Sequence, residues 1–156
     1  AAVAAMQYNW SLAYEHVLKA EEMVTDNVKV RLAISKATLS IPLDEYERAM
    51  TIFNSVPNNG WSLYRRGVMN VMMGNLEEAK SNMSAVRKLL KENGWQETGG
   101  IDYVNAIISA REGNSTGVTS NLKAAMSKDE SGGYKRNVVN DLEFRNYSDA
   151  VKSAMQ

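Results

Sequence analysis

Apolar residues recur at three- and four-residue steps along most of the chain, which is the pattern of helices that bury one face. The clearest series are Val30, Ala33, Ile34, Ala37; Tyr46, Ala49, Met50, Phe53; Leu76, Ala79, Met83, Val86, Leu90; Tyr103, Ala106, Ile107, Ala110; and Val118, Leu122, Ala125, Met126. Strict alternation of apolar and polar residues, the pattern of a half-buried strand, is not sustained anywhere. The sequence therefore predicts an all-α fold.

Two identical turns separate helices of this kind. In Gly74-Asn75 and Gly113-Asn114, glycine supplies the left-handed residue that ends one helix and asparagine caps the next. Helices after these turns and earlier in the chain carry apolar or small residues at matching offsets, which are Ala13, Val17, Ala20; Ala49, Phe53, Val56; Ala79, Met83, Val86; and Val118, Leu122, Ala125. Small side chains let helix backbones approach, and the larger one fills the space between them. We therefore expect helix hairpins that stack on one another.

The stretch 60–93 resembles the tetratricopeptide repeat (TPR), a helix–turn–helix unit of 34 residues. Gly67 falls on the family's glycine in the first helix, and Gly74 to Ala79 is similar to its inter-helix turn and the alanine that follows. Leu63 stands where the family has a tryptophan, and the spacing between successive units varies. The resemblance implies a right-handed α-solenoid of stacked antiparallel helix hairpins. Another helical-hairpin solenoid and a non-repetitive bundle are the alternatives.

In this register the chain forms a single TPR-like domain. Its parts are a partial repeat at 1–29, repeats at about 30–59, 60–98 and 99–133, and a C-terminal cap at 134–156. The repeat at 60–98 includes an insertion around Trp95. Repeats of this kind bury their apolar faces only against a neighbour, so the last one needs a cover.

The C-terminal cap is expected to supply that cover. Its sequence predicts one or two short helices, with Asn140 as the N-cap of one of them. The residues expected to cover the last repeat are Leu142, Phe144, Tyr147 and Val151.

Composition excludes several classes of function. Eighteen Lys and Arg balance 18 Asp and Glu, so a surface for nucleic acid is not expected. The chain has no Cys and one His, His16, so neither thiol chemistry nor a metal centre, cofactor site or catalytic residue is predicted. No apolar run is long enough to insert in a membrane. The lack of Cys favours a location outside the cytoplasm only slightly, and the first residue, Ala1, suggests a processed product or a piece of a longer protein.

The first helix of each TPR unit lines the concave face of the array, so the resemblance assigns binding to that face. Nine residues are expected there: Arg31, Ile34, Thr38, Tyr64, Arg65, Val68, Tyr103, Ile107 and Arg111. Tyrosine and arginine bury a large contact area while keeping a polar group, which suits recognition of another protein. The alternative is that these tyrosines only fill the space between hairpins.

The leading hypothesis is a non-catalytic scaffold that binds a protein or peptide, possibly another domain of the same parent chain, on its concave face. A structural spacer within a larger cell-envelope or secreted protein is the first alternative. An enzyme that uses carboxylates to act on glycans is the second, and it has the least support in the sequence.

Overall fold

The computed structural model of the protein describes residues 5–23, 26–43 and 45–156, without the side chains of residues 26 and 27. Within these ranges every regular element is helical and none is a strand, which confirms the all-α prediction. The α-helices are α1 (Trp10–Glu21), α2 (Asp26–Ser40), α3 (Tyr46–Ser55), α4 (Gly60–Met72), α5 (Leu76–Glu92), α6 (Gly100–Arg111), α7 (Ser115–Ser127), α8 (Gly133–Asn137) and α9 (Ser148–Met155). Short 3-10 helices cover Ile41–Leu43, Val138–Asn140 and Leu142–Phe144. Residues 1–4, 24 and 25 of the predicted partial repeat lie outside the described residues.

The two Gly-Asn turns form as predicted. Gly74 and Gly113 have φ angles of 81° and 76°, in the left-handed region that glycine enters without a steric penalty. In each turn the asparagine N–H donates to a carbonyl oxygen of the preceding helix at 2.8 Å. Asn114 caps α7 with its side chain, which accepts from the N–H of Gly117 at 2.9 Å. Asn75 holds the same position before α5, but its side chain makes no such hydrogen bond.

Each helix makes its main contacts with its neighbours in sequence. Contact is most extensive between α4 and α5 and between α6 and α7, and α4 also touches α6. The residues predicted to separate stacked helices are all buried except Ala20, which is half-buried. At Gly67 a Cβ atom would overlap the end of the Met83 side chain and would lie 3.3 Å from the Cβ of Asn82. Glycine therefore lets α4 approach α5 closely.

The buried apolar residues form several clusters along the chain instead of one centre. Within the described residues, one cluster joins α1 and α2 at Ala13, and the next joins α2, α3 and α4 at Phe53. A third joins α4, α5 and α6 at Met83, and the last joins α6, α7 and the C-terminal segment at Leu122. Each part of the molecule is thus stabilised mainly by the helices beside it.

The C-terminal segment 134–156 covers α6 and α7 in part as predicted. Phe144 and Val151 are buried in the last cluster. The hydroxyl of Tyr147 donates to the carbonyl oxygen of Ala110 at 2.6 Å. These three covering residues are confirmed.

The prediction for Leu142 is wrong, because its side chain is 77% exposed. The predicted cap at Asn140 also differs, since Asp141 caps the short 3-10 helix by accepting from the N–H of Glu143 at 3.0 Å. A 3-10 helix of three residues directs its side chains to different sides. Here Phe144 takes the side that faces the core.

Candidate functional site

A groove opens where α4 and α6 begin and α5 ends, and it encloses a cavity of about 400 Å³. Apolar residues of α5 and α6 line part of it. We call it the Tyr64 groove and define it by the residues that carry its aromatic, polar and close backbone contacts: Trp61, Tyr64, Arg65, Trp95, Gly100 and Tyr134. Tyr64 and Arg65 are two of the nine residues predicted for binding.

The start of α4 is fixed by a capping box, which places the first three of these side chains. The Asn59 side chain accepts from the N–H groups of Trp61 and Ser62 at 3.0 and 2.9 Å. In return the Ser62 hydroxyl accepts from the Asn59 N–H at 3.1 Å, so two unpaired helix donors and the cap itself are satisfied. Ser62 is fully buried. The first turn of α4 is therefore a firm base for the groove.

Arg65 stacks on Trp61, with its guanidinium carbon 4.8 Å from the ring centroid. Residues four apart lie on the same side of a helix, so the sequence itself brings this pair together. The Nε atom of Arg65 is buried and has no hydrogen-bond partner. In the described part of the chain no carboxylate pairs with this guanidinium, so its charge is balanced only by the face of the indole ring.

Two tyrosine hydroxyls meet beside Arg65 at the start of α6. A Cβ atom at Gly100 would lie 3.1 Å from the Tyr64 hydroxyl and 3.4 Å from the Tyr134 hydroxyl. Neither hydroxyl has a hydrogen-bond partner among the described residues. Burial raises the pKa of Tyr64, Tyr134 adds to this rise, and Arg65 opposes it. Burial also raises the pKa of Tyr134. Both groups are therefore protonated donors at neutral pH.

A network of four charges anchors the insertion that carries Trp95. Glu97 accepts from Arg87 at 2.9 Å and from Lys128 at 3.0 Å, and Asp102 accepts from the same two cations. The Asp102 side chain is only 4% exposed. Burial alone would raise the pKa of Glu97, but the hydrogen bonds from Arg87 and Lys128 outweigh it and lower the pKa. The insertion is thus held as a wall of the Tyr64 groove by paired charges.

Three of the predicted residues, Tyr103, Ile107 and Arg111, form a surface of α6 that we call the Tyr103 face. The ring of Tyr103 stacks on Tyr134 at 5.0 Å between centroids, and burial raises the pKa of its hydroxyl. Ile107 is half-buried against both neighbouring core clusters. Arg111 forms an ion pair with Glu143. The C-terminal segment therefore covers this face.

The other predicted residues lie towards the N-terminal end or between helices. Ile34 and Thr38 are half-buried and line a second cavity, of about 440 Å³, together with His16 and Trp61. Arg31 is exposed on α2. Val68 is half-buried and packs against the core cluster of α4, α5 and α6. The structure thus brings Tyr64 and Arg65 into one cavity and Ile34 and Thr38 into the next, with Trp61 between them.

Three groove residues were not predicted from the sequence: Trp61, Trp95 and Tyr134. The spacing of Trp61 and Arg65 is a signal that could have identified Trp61. Trp95 lies in the insertion and Tyr134 in the cap, and neither position follows from a helical repeat. Only the contacts of the folded chain bring these two rings to α4.

Comparison of the chain with protein-family models, curated proteins and solved structures gives no match. Over the described ranges, no helix has the length and apolar character needed to cross a membrane. The same residues contain no group of three or more His, Cys, Asp or Glu side chains that could hold a metal ion. The structure defines the class of the protein as all-helical, with an aromatic groove as its most developed site.

Proposed function

We propose that the helices form a TPR-like array of stacked hairpins. Support comes from the contacts between sequential helices and from the small residues buried at Ala13, Ala49 and Ala79. Direct contact between α4 and α6 also suits an array in which first helices lie side by side. In such an array α2, α4 and α6 share one face.

We further propose that the protein is a non-catalytic module that binds a protein segment in the Tyr64 groove. The observation that carries this proposal is the convergence of a cation and two hydroxyl donors, none with a hydrogen-bond acceptor in the described residues, on one aromatic cavity. A buried N–H without an acceptor costs roughly 1–3 kcal/mol. A ligand that accepts from Arg65 would recover that free energy while covering the rings of Trp61 and Trp95.

The chemistry of the groove supports binding over catalysis. General acid–base catalysis is most efficient when the pKa of the catalytic group lies near the working pH. The raised pKa values of Tyr64 and Tyr134 keep both hydroxyls protonated at neutral pH. They can orient an acceptor, but neither serves as a base.

Selection from a phage-displayed library of random peptides tests this proposal. We expect the protein to enrich peptides, and we expect their binding to weaken at least about tenfold in a Tyr64→Phe, Arg65→Gln variant, because the variant removes one hydroxyl and one guanidinium donor. Tryptophan fluorescence measures the binding, since Trp61 and Trp95 line the groove.

Arg48→Gln is the matched control. Arg48 also lies over an aromatic ring, at 5.8 Å from the Tyr14 centroid, but it is paired with Glu45 at 2.6 Å and lies outside the Tyr64 groove. Binding should be unchanged in this variant. Failure to enrich any peptide, or equal weakening by both variants, would overturn the proposal.

A further inference from the structure

The chain contains its own example of how a tyrosine and an arginine on a first helix are covered. Tyr64 lies three residues before Gly67, and Tyr103 lies three residues before Ala106. Gly67 and Ala106 are the corresponding small residues of the predicted repeats, so the two tyrosines occupy equivalent positions. Tyr103 is covered by the C-terminal segment, whereas Tyr64 borders an open cavity.

The segment that covers Tyr103 is acidic and apolar in alternation, with the sequence Asp-Leu-Glu-Phe at residues 141–144. Asp141 accepts from the Tyr103 hydroxyl at 2.6 Å. Glu143 accepts from Arg111 through both carboxylate oxygens, in a bidentate ion pair. Phe144 lies edge-on to the Tyr103 ring at 5.7 Å between centroids. Carboxylates thus meet the donors, and the adjacent aromatic side chain covers the ring.

The Tyr64 groove offers the same kinds of group without an occupant from the described chain. Its donors are the guanidinium of Arg65 and the hydroxyls of Tyr64 and Tyr134, and its rings are those of Trp61 and Trp95. All of its unpaired polar side-chain groups that were identified above are donors, and one carries a positive charge.

The acidic residues nearest the groove do not compensate this charge. Glu97 and Asp102 are each paired with Arg87 and Lys128, so two negative and two positive charges balance within the network. Arg65 remains the cation whose complement is missing among the described residues. An anionic ligand therefore suits the groove better than a neutral or basic one.

We propose that the Tyr64 groove binds an acidic peptide segment in which an Asp or Glu side chain stands next to a large apolar residue, as in residues 141–144. The side-chain carboxylate accepts from Arg65 and the tyrosine hydroxyls, and the apolar neighbour packs on the indole rings. This inference rests on the proposed function, because it names the ligand of the same groove.

The experiment has two stages, and the first uses the peptides selected from the library. We expect them to share an acidic residue beside an aliphatic or aromatic one. The second stage titrates two synthetic peptides with blocked ends, one with the sequence of residues 140–144 and one with its two acids changed to the corresponding amides. The acidic peptide should bind about tenfold more tightly or better, since hydrogen bonds to charged groups are the stronger ones.

Three single variants locate the acid preference. Arg65→Gln should abolish the difference between the two peptides, and Arg48→Gln should preserve it. Arg111→Gln should preserve it as well, because Arg111 already pairs with Glu143. A preference lost in Arg111→Gln and kept in Arg65→Gln would show that the peptide displaces the chain's own segment, which overturns the assignment to the Tyr64 groove.

The outcomes separate this inference from the proposed function. Enriched peptides that lack acidic residues, and that bind as well as their acidic counterparts, would overturn the acidic ligand and leave the groove as a binding site. No enrichment of any peptide would overturn both. Enrichment of acidic peptides with a preference that depends on Arg65 supports both.

Discussion

The Tyr64 groove and the Tyr103 face carry similar residues but differ in what covers them. Tyr103 donates to Asp141, and Arg111 pairs with Glu143, so this face is covered by the protein's own C-terminal segment. Tyr64 and Arg65 have no such acceptors among the described residues and border a cavity of about 400 Å³. The same two residue types therefore stabilise the fold at one place and remain available for a ligand at the other.

This difference shows that a residue's place on a helix face does not decide its role. The predicted repeat register puts Tyr64 and Tyr103 on equivalent positions. Their roles differ because the segment 134–147 passes over α6 and not over α4. The first prediction tests the strongest contact that this segment makes.

Phe144→Ala should destabilise the C-terminal part of the molecule most. Phe144 is 2% exposed and packs in the last core cluster, and removing a buried phenylalanine side chain costs about 3–5 kcal/mol. Urea unfolding should show this loss of free energy. In a variant that stays folded at low urea, the Tyr103 face should also exchange its amide hydrogens faster, because its cover is released.

Leu142→Ala is the control, because Leu142 lies in the same 3-10 helix with its side chain 77% exposed. Its free energy of unfolding should change by less than about 0.5 kcal/mol. Equal losses in the two variants would contradict the view that one side of this turn carries the cover.

The sequence predicts the helical class and the turns because both depend on local chemistry. The recurrence of small residues around Ala79 and Val118 and the two Gly-Asn pairs act within one hairpin, so a single sequence is enough to identify them. The cap was harder, since only one side of a short 3-10 helix meets the core, and Leu142 is as apolar as Phe144. Apolar character alone cannot distinguish these two.

The candidate site was predicted only where it depends on one helix. Tyr64 and Arg65 follow from the register of α4, and their place in the groove agrees with that expectation without testing their role in binding. Trp95 and Tyr134 reach the groove through the charge network at Asp102 and through the close approach at Gly100. Such contacts join residues far apart in sequence, and no local pattern specifies them.

Tyr103→Phe and Tyr64→Phe compare the two equivalent tyrosines directly. Tyr103→Phe removes a donor to the Asp141 carboxylate and should lower the free energy of unfolding by about 1–2 kcal/mol. Tyr64→Phe removes a hydroxyl with no acceptor in the described residues and should change it by less than about 0.5 kcal/mol. Urea unfolding of the two variants, each compared with the parent protein, gives the difference.

The peptide titration should give the opposite order for these variants. Tyr64→Phe should weaken binding of the acidic peptide, and Tyr103→Phe should leave it nearly unchanged. Two equal stability losses would mean that the Tyr64 hydroxyl is paired in solution, and the contrast between the groove and the face would then fail.

Glu143→Gln should have the smallest effect on stability, and the effect should depend on pH. The hydrogen bond from Arg111 lowers the pKa of Glu143, and burial opposes this only in part. A carboxyl group whose pKa is lower in the folded state stabilises the fold above its unfolded-state pKa, which is about 4.3. This stabilisation is lost as the pH falls through the folded-state pKa.

At pH 7 the variant should therefore be less stable than the parent by about 0.5–1 kcal/mol, which is typical of an ion pair that is still partly solvated. The difference should shrink as the pH falls below about 4, since the parent's Glu143 then becomes neutral like the glutamine. Asp149→Asn is the control, because Asp149 is 97% exposed and only 3.6 Å from Lys152, and it should have no measurable effect at either pH. A loss for Glu143→Gln that is as large at pH 3 as at pH 7 would mean that the ion pair with Arg111 does not hold the segment on the Tyr103 face, and that side-chain shape alone covers it.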